Sequence, residues 1–162
     1  MTERALEGVK VLDLTHHISG PYCTKLLADF GAEVLKVERP GGDPTRRVGP
    51  FLNDDIDPEK SLVFAYLNTN KQSVTLNFKT EGGIQVLKSL IEHTDVVVEN
   101  FAPRIMASLG LDFESLQKIN PRLVLTSISN FGQTGPYRDY KAADIIEYAM
   151  GGLMYISGGY DR

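Results

Sequence analysis

The chain has 162 residues, 42 % hydrophobic and 23 % charged, a balance typical of one soluble globular domain with a sizeable core. Its formal net charge of −4 excludes a general attraction to nucleic acid or to anionic membranes. The N-terminal segment carries charges throughout and lacks the apolar core of a signal peptide, and no apolar run could span a bilayer. A single cysteine excludes an internal disulfide and a paired-cysteine zinc site. These features predict a cytoplasmic protein without a metal.

The first half of the chain alternates predicted strands and helices. Apolar and β-branched residues predict strands at 9–15, 33–38 and 73–77. A helix is expected from Pro21 to about Phe30, because proline is tolerated in a first turn and Gly31 ends the helical pattern. The segment 40–58 is polar and rich in glycine and proline, and it predicts a loop. A short helix is expected at 64–70.

The second half continues the same alternation. Strands are predicted at 95–98 and 124–128. Helices are predicted at 80–93, 103–109, 113–119 and 144–154. His93 is expected to cap the end of the first of these helices, and Asp112 to cap the start of the third. A loop is expected at 132–140, and the pair Gly151-Gly152 is a weak point in the last helix.

Strands that are mostly apolar and that alternate with helices indicate a parallel sheet covered on both faces. Right-handed crossovers then predict an α/β fold with a Rossmann-like, doubly wound, mostly parallel sheet. The last residues read GGLMYISGGYDR, in which Gly158 and Gly159 are typical of a turn between two elements. We therefore expect the protein to continue beyond Arg162.

Ligands of such sheets bind beyond the carboxyl ends of the strands. The loops predicted there contain five cationic residues, Arg39, Arg46, Arg47, Lys79 and Arg104. In an acidic chain this gathering indicates an anionic ligand, and the planar guanidinium group suits phosphate. The predicted helix at Pro21 would add free N–H groups and a positive dipole end. The alternative, that these cations are ordinary solvated surface charges, stays open.

Several common sites are excluded or disfavoured. The chain contains no G-x-G-x-x-G after the first strand, no P-loop and no G-x-S-x-G elbow. His16 and His17 are adjacent and point to opposite sides of an extended chain, which argues against their sharing one metal. A catalytic pair of Cys23 with either histidine is disfavoured, because a lone helical cysteine is typically a small packing residue and no orienting group can be named.

Four stretches resemble the family III CoA-transferases of the CaiB/BaiF type. They read LEGVKVLDLTHHISGPYCTKLLADFGAEVLKVERPGGDPTR, NKQSVTLNFKTEGG, DVVVENFAPRIMASLGLDFESLQKINPRLVLTSISNFGQTGPY and ADIIEYAMGGLMYISG. The family includes formyl-CoA and carnitine-linked CoA-transferases, with 2-methylacyl-CoA racemases as relatives. The resemblance covers nearly the whole chain. It implies that residues 1–162 are the N-terminal part of the large CoA-binding α/β domain of an interlocked homodimer.

The resemblance also implies which residues hold coenzyme A, the part of the acyl-CoA substrate that this domain binds. Arg39 would contact the nucleotide end. The segment from Leu76 through Asn77 and Phe78 to Lys79 would contact adenine and phosphate groups. The remaining implied contacts are His16, His17, Ile18, Ser19, Asn100, Phe101, Ala102 and Lys141. A basic residue of the family is replaced by Ser108, and Arg104, one helical turn earlier, would supply the missing charge.

The implied reaction moves coenzyme A between carboxylic acids through an anhydride on an aspartate. That aspartate would lie beyond Arg162, and neither Asp144 nor Asp161 matches it, so no catalytic residue is expected within the chain. Ile18 replaces a glutamine of formyl-CoA transferases, which argues against formyl or oxalyl substrates. Ala143 replaces the histidine of the racemases and cannot exchange a proton, which favours transfer. A non-catalytic CoA-binding module stays open if the chain ends naturally at this point.

Overall fold

The computed structural model describes residues 4–158, which contain a five-stranded sheet. Its strands are β1 (Lys10–Asp13), β2 (Glu33–Glu38), β3 (Gln72–Thr75), β4 (Val96–Glu99) and β5 (Val124–Ser127). Every neighbouring pair is parallel, and the order across the sheet is β3-β2-β1-β4-β5. The chain therefore winds outward from β1 to β3 and then returns to the other side of β1. The switch point of the sheet lies between β1 and β4, where a doubly wound sheet opens a crevice for ligands.

Seven α-helices accompany the sheet within this described range. They are α1 (Ser19–Asp29), α2 (Leu62–Leu67), α3 (Glu81–Glu92), α4 (Ile105–Ser108), α5 (Phe113–Ile119), α6 (Asp144–Met150) and α7 (Leu153–Ile156). The helix α1 connects β1 to β2, α3 connects β3 to β4, and α4 and α5 connect β4 to β5. Helical crossovers between parallel strands confirm the predicted α/β, Rossmann-like, doubly wound sheet. None of the helices within residues 4–158 is both long enough and apolar enough to cross a bilayer.

Helices cover both faces of the sheet because successive strand residues point to opposite sides. Val11 and Val98 face α1 and pack with Ala28 in one cluster of buried residues. Leu12 lies on the other face, in a second cluster that includes Leu87 of α3 and extends to α5. The sheet is therefore a shared wall between two apolar cores, which holds its carboxyl edge in a fixed position.

Four strands differ in their bounds from the sequence prediction, although β4 and β5 differ by no more than one residue at either end. The first strand ends at Asp13 rather than Thr15, because the backbone of Thr15 bonds to side chains instead of a neighbouring strand. The strand β3 is exposed at all four residues, since it forms one edge of the sheet. The pattern QSVT accordingly carries polar side chains that an enclosed strand would exclude.

The predicted loop at 40–58 contains regular structure. Three short 3₁₀ helices lie at Pro44–Arg47, Leu52–Asp54 and Pro58–Lys60. Asp43 and Asp57 cap the first and the last by accepting hydrogen bonds from backbone N–H groups two residues ahead. Proline at the first helical position fixes φ and removes an N–H that would lack a partner, so the Asp-Pro pairs start these turns. The loop prediction was too simple because it took proline and glycine only as breakers.

The helix ends follow the predicted chemistry. His93 is the C-terminal cap of α3, and the Asp112 carboxylate accepts the N–H of Ser115 at the start of α5, as expected. The helix predicted at 144–154 divides into α6 and α7 at Gly151 and Gly152, and the second glycine has a φ of 79°. That left-handed backbone suits glycine and ends the first segment. Gly159 and Asp161 lie outside the described residues.

Candidate functional site

A cavity of about 540 Å³ lies at the carboxyl edge of the sheet, beside the switch point. The loops that follow β1, β2, β3 and β4 all contribute to its wall. The predicted site residues that line it are His16, Arg39, Leu76, Asn77, Lys79 and Phe101, together with Phe78. We call it the first cavity. The fold therefore brings the loops that the sheet rule selected together around one space.

Three cationic residues border the first cavity. Arg39 and Arg47 come from the loop after β2, and Lys79 comes from the turn after β3. All three are exposed, and the two arginines otherwise bond only weakly to nearby glycine carbonyl groups at 3.3 and 3.4 Å. Their charges are therefore available to an anionic ligand.

Arg46 does not join these cations, contrary to the sequence prediction. Two of its guanidinium nitrogens donate to the two oxygens of the Glu38 carboxylate, at 2.7 and 2.8 Å, and the third nitrogen donates to Glu59. The same guanidinium lies 3.7 Å from the centre of the Phe64 ring. Arg46 is consequently a structural residue that holds the loop carrying Arg39 and Arg47.

A second cavity, of about 520 Å³, shares the wall residue Phe101 with the first. The predicted residues Ser19, Asn100, Ala102 and Lys141 line this second cavity. Its wall also includes side chains that the sequence did not single out, among them Ser129, Phe131, Arg138 and Tyr140. The Ser129 hydroxyl is buried and, within the described residues, forms no hydrogen bond. It is therefore free to bond to a ligand in this cavity.

Three predicted site residues lie outside both cavities. His17 has a φ of 61°, so the backbone turns sharply here, and the assumption of an extended histidine pair was wrong. Ile18 is 66 % exposed and lines a separate apolar hollow with Pro50 and Leu62. Arg104 lines another, smaller cavity, and both Asp139 oxygens accept hydrogen bonds from its guanidinium, at 2.6 and 3.1 Å.

Two buried ion pairs lie close to the carboxyl ends of β1 and β2. Lys71 lies 2.9 Å from the Asp13 carboxylate, and both side chains are almost fully buried. Asp13 also accepts hydrogen bonds from the N–H and hydroxyl of Thr15 and from the Thr24 hydroxyl. Each charge is therefore compensated by a partner and by hydrogen bonds, as burial requires.

The second pair links β2 to the loop after it. The ammonium of Lys36 lies 3.0 Å from Asp43 Oδ2, close enough for attraction although not aligned as a hydrogen bond. The same ammonium donates to the carbonyl of Thr15 at 2.9 Å. Lys36 is only 1 % exposed, so its charge acts within the protein. It ties the loop after β1 to the loop after β2.

Buried groups in this region have shifted pKa values. Burial alone would raise the pKa of Glu38, but hydrogen bonds from Arg46 and Ser73 outweigh it and lower that pKa to about 2. Burial likewise opposes ionisation of Asp13, yet the charges of Lys36 and Lys71 keep its pKa below the usual value. Burial lowers the pKa of His16, so its imidazole is neutral near pH 7. His16 therefore acts as an aromatic wall and not as a cation.

Two glycines allow close packing at the site. A Cβ on Gly83, in the first turn of α3, would lie 1.9 Å from the carbonyl oxygen of Asn77. A Cβ on Gly20, at the start of α1, would lie 2.3 Å from the Cβ of Thr15. Both contacts are shorter than any van der Waals separation, so each position needs glycine. The helices thereby press directly on the turns that form the cavity wall.

Comparison with known proteins identifies the family. The sequence profile of CoA-transferase family III matches residues 6–162. The chain belongs to this family. A CaiB/BaiF family protein from Brucella suis, known from its crystal structure, has 41 % identity and a TM-score of 0.90, over 99 % of this chain and 43 % of its own. The doubly wound sheet described above is therefore the fold of this part of a family III protein.

Named relatives from the family have comparable similarity to the chain. The formyl-CoA:oxalate CoA-transferase of Streptomyces avermitilis is 49 % identical over 98 % of this chain and 37 % of its own length. The acetyl-CoA:oxalate CoA-transferase of Acetobacter aceti is 45 % identical over 94 % and 38 %. The succinyl-CoA:glutarate CoA-transferase of Mus musculus is 44 % identical over 98 % and 36 %. The chain spans somewhat more than a third of the length of these relatives, and its identity to them does not separate their substrates.

Sequence reasoning missed the buried charges at the carboxyl ends of the strands. Asp13, Lys36 and Glu38 were taken as parts of apolar strands, although each is buried and bonds to a loop. A signal was present, because a charged residue inside a strand predicted to be buried on both faces must find a partner. The partners themselves, such as Lys71, are distant in sequence and could not be assigned from it.

Proposed function

We propose that the full-length protein is a CoA-transferase that moves coenzyme A from an acyl-CoA to a second carboxylic acid. The observation that carries the proposal is the first cavity, where Arg39, Arg47 and Lys79 border one space in a chain of net charge −4. Guanidinium and ammonium groups bind phosphate oxygens through charge-assisted hydrogen bonds. Coenzyme A carries its phosphates at the nucleotide end, so we assign that end to the first cavity.

The start of α1 also favours the proposal that a phosphate-bearing ligand binds beside this cavity. This helix has 11 residues, and its first turn carries no side-chain cap among the described residues. The N–H groups of an uncapped first turn attract anions. Ser19, the first residue of α1, lines the second cavity, and Phe101 separates it from the first. We therefore propose that the pantetheine arm passes Phe101 and Ser19 into the second cavity.

The proposed chemistry uses an aspartate beyond Arg162. Its carboxylate attacks the acyl carbonyl of acyl-CoA, the thiolate of coenzyme A leaves, and a mixed anhydride forms. The thiolate then attacks the aspartyl carbonyl, which releases the donor acid and leaves an aspartyl thioester. The acceptor carboxylate attacks the aspartyl thioester, which releases the thiolate and forms a second mixed anhydride. The thiolate then attacks the acceptor acyl group, which yields the new acyl-CoA and frees the aspartate. The described residues would retain coenzyme A between the steps, which keeps the thiolate close to the anhydride.

Racemisation is the less favoured activity. Ala143 is the N-terminal cap residue of α6, at the position where the racemase relatives carry a histidine. An alanine side chain cannot accept or donate a proton, and racemisation requires both steps. Ile18 lies outside both cavities, so the prediction against formate and oxalate as substrates rests on the family resemblance alone. The interlocked homodimer and the cytoplasmic location remain predictions.

Replacing Arg39 tests the assignment of the first cavity. The variant Arg39→Ala is expected to weaken binding of coenzyme A by about 1–3 kcal/mol, or roughly 5- to 150-fold, because one charge-assisted contact is lost. Titration calorimetry on the full-length protein measures this. The control is Arg122→Ala, since Arg122 is also exposed but precedes β5 at the opposite edge of the sheet. Unchanged affinity in Arg39→Ala would remove this residue from the site.

Transfer is tested by incubating the full-length protein with an acyl-CoA and a different carboxylic acid. We expect the acyl-CoA of the second acid to appear, with free coenzyme A remaining low. Epimerisation of a 2-methylacyl-CoA without exchange would instead establish the racemase. Tight binding without either reaction would establish a CoA-binding module. A panel of acids that includes formate, oxalate, succinate and glutarate also tests the substrate prediction based on Ile18.

A further inference from the structure

The loop after β1 has a fully bonded backbone at Thr15 and His16. The N–H of Thr15 donates to Asp13 at 2.9 Å, and its carbonyl accepts from Lys36 at 2.9 Å. The N–H of His16 donates to Asn100 Oδ1 at 2.9 Å, and the His16 carbonyl accepts from Asn100 Nδ2 at 2.8 Å. These two residues therefore have no backbone N–H left for a ligand.

Asn100 supplies half of these bonds with a single side chain. Its amide bonds to both the N–H and the carbonyl of His16, in the manner of a neighbouring strand. Asn100 follows the last residue of β4, and His16 lies three residues beyond β1, so the contact spans the switch point of the sheet. A contact between residues 84 positions apart fixes the width of the crevice that both cavities share.

Asn100 is itself held from both sides. The buried carboxylate of Glu99 accepts the N–H of Phe101 at 2.7 Å, which fixes the turn that begins at Asn100. The ring of Phe101 meets the His16 imidazole edge to face, with 5.3 Å between the ring centres, and meets Phe78 at 6.3 Å. Loops after three strands thus form one continuous wall of the first cavity.

We infer that Asn100 is a positioning residue, which sets the CoA-binding conformation of the loop after β1 and leaves ligand contact to its neighbours. The inference rests on the proposed function for the identity of the ligand. The family resemblance implies a lining role for Asn100, but both polar atoms of its amide are already bonded to His16. We call the pair of hydrogen bonds between the Asn100 amide and the His16 backbone the clasp. The next residue, His17, adopts a φ of 61° and leads directly into the uncapped first turn of α1. The clasp thereby fixes the direction in which the free N–H groups of that turn point.

The first measurement is amide hydrogen exchange in the ligand-free full-length protein. In Asn100→Ala the amide of His16 is expected to exchange at least about tenfold faster, which corresponds to about 1.4 kcal/mol of lost local protection. The amides of Val11 and Leu12 in β1 should keep their protection. The conservative variant Asn100→Asp retains an acceptor and should restore part of the protection at His16. A ligand-contact role would leave exchange in the ligand-free protein unchanged, and that result would overturn the inference.

The second measurement is the affinity for coenzyme A. Asn100→Ala should bind it about tenfold more weakly, since the loop must then be ordered on binding. The comparison variant is Asn77→Ala, whose residue lines the first cavity but has no bond to His16. It should lose affinity without faster exchange at His16. Unchanged affinity in Asn100→Ala would show a purely structural role and overturn the inference.

A control variant and a replacement variant complete the test. Asn120→Ala removes an equally bridging amide, which bonds to the Ile91 and Thr94 carbonyls at the opposite end of the sheet. It should not change either readout at the cavity. If Asn100→Ala fails to fold, Asn100→Ser, whose side chain is too short to bond to both His16 groups, carries both measurements, and wild-type exchange at His16 with weak affinity decides against the inference. If coenzyme A does not bind the wild-type protein, the proposed function fails while the exchange experiment still tests the clasp.

Discussion

The buried pair of Lys71 and Asp13 offers a direct test of how the site is supported. Lys71 donates to Asp13 at 2.9 Å, to the Pro21 carbonyl at 2.8 Å and to Asn68 at 2.9 Å. Its side chain is 1 % exposed and that of Asp13 is fully buried. The variant Lys71→Met has a similar volume and removes the charge together with all three hydrogen bonds. Asp13 then remains as a buried carboxylate with Lys36 as its nearest remaining cation.

Breaking a buried ion pair on one side costs about 3–5 kcal/mol, because the remaining charge stays desolvated. The Thr15 and Thr24 hydroxyls and the charge of Lys36 continue to stabilise Asp13, which places the expected loss toward the lower end. With a urea slope of about 2 kcal/mol per molar, a loss of about 3 kcal/mol lowers the unfolding midpoint by about 1.5 M. The double variant Asp13→Asn with Lys71→Met removes both charges and should lose less than the sum of the single variants.

The assay is urea unfolding followed by far-UV circular dichroism, which suits a chain that contains no tryptophan. The control is Lys60→Met, because Lys60 pairs with Asp55 at an exposed position. Its unfolding free energy should change by about 0–1 kcal/mol. The reasoning fails if Lys71→Met and Lys60→Met have the same midpoint, or if the two changes at Asp13 and Lys71 are additive. Either result would mean that solvent reaches the pair.

Two further predictions concern the supports around the first cavity. Gly83→Ala places a Cβ 1.9 Å from the carbonyl oxygen of Asn77 and should cost about 1–3 kcal/mol in urea unfolding, whereas Gly82→Ala meets nothing within 4 Å and should be neutral or stabilising by up to about 1 kcal/mol. A loss of equal size in both variants would contradict the packing argument. Because the pKa of Glu38 is lowered from 4.5 to about 2, its stabilisation is complete above about pH 4.5 and disappears as the pH falls toward 2. Urea midpoints measured across that range should fall in the wild type and fall less in Glu38→Gln, and parallel curves would count against the shift.

The sequence predicted the order and type of the elements because periodicity and caps are local. The second strand was predicted with its observed bounds, Glu33–Glu38, and α5 with its observed bounds, Phe113–Ile119. Asp112 supplied the N-cap that made the second prediction sharp. The strand β1 was predicted too long, since a distant side chain, Lys36, and not a strand neighbour takes the Thr15 carbonyl. The local sequence pattern predicts which elements form, whereas the residues at which they end depend on contacts across the fold.

The candidate site could likewise be predicted only in part. The loops of the first cavity could be predicted because the carboxyl ends of parallel strands share one edge. Which cations remain available to a ligand could not be predicted. Arg46 and Arg104 are paired with carboxylates, whereas Arg39 and Arg47 have no carboxylate partner within residues 4–158. No local pattern separates an arginine that binds a ligand from one that holds a loop. That distinction is a matter of which acid lies within reach in three dimensions.

The charged residues at the ends of the strands explain how a site made of loops can be held firmly. Asp13, Glu38 and Glu99 each end a strand, each is at most 5 % exposed, and each carboxylate accepts a backbone N–H from the loop that follows. A buried carboxyl group requires such donors, so a loop that moves away leaves a buried polar group without its hydrogen bond. The buried acids therefore contribute to the free energy needed to open each loop. We conclude that a strand that ends on an acidic residue in an otherwise apolar run is a sequence signal for a loop anchored in this way.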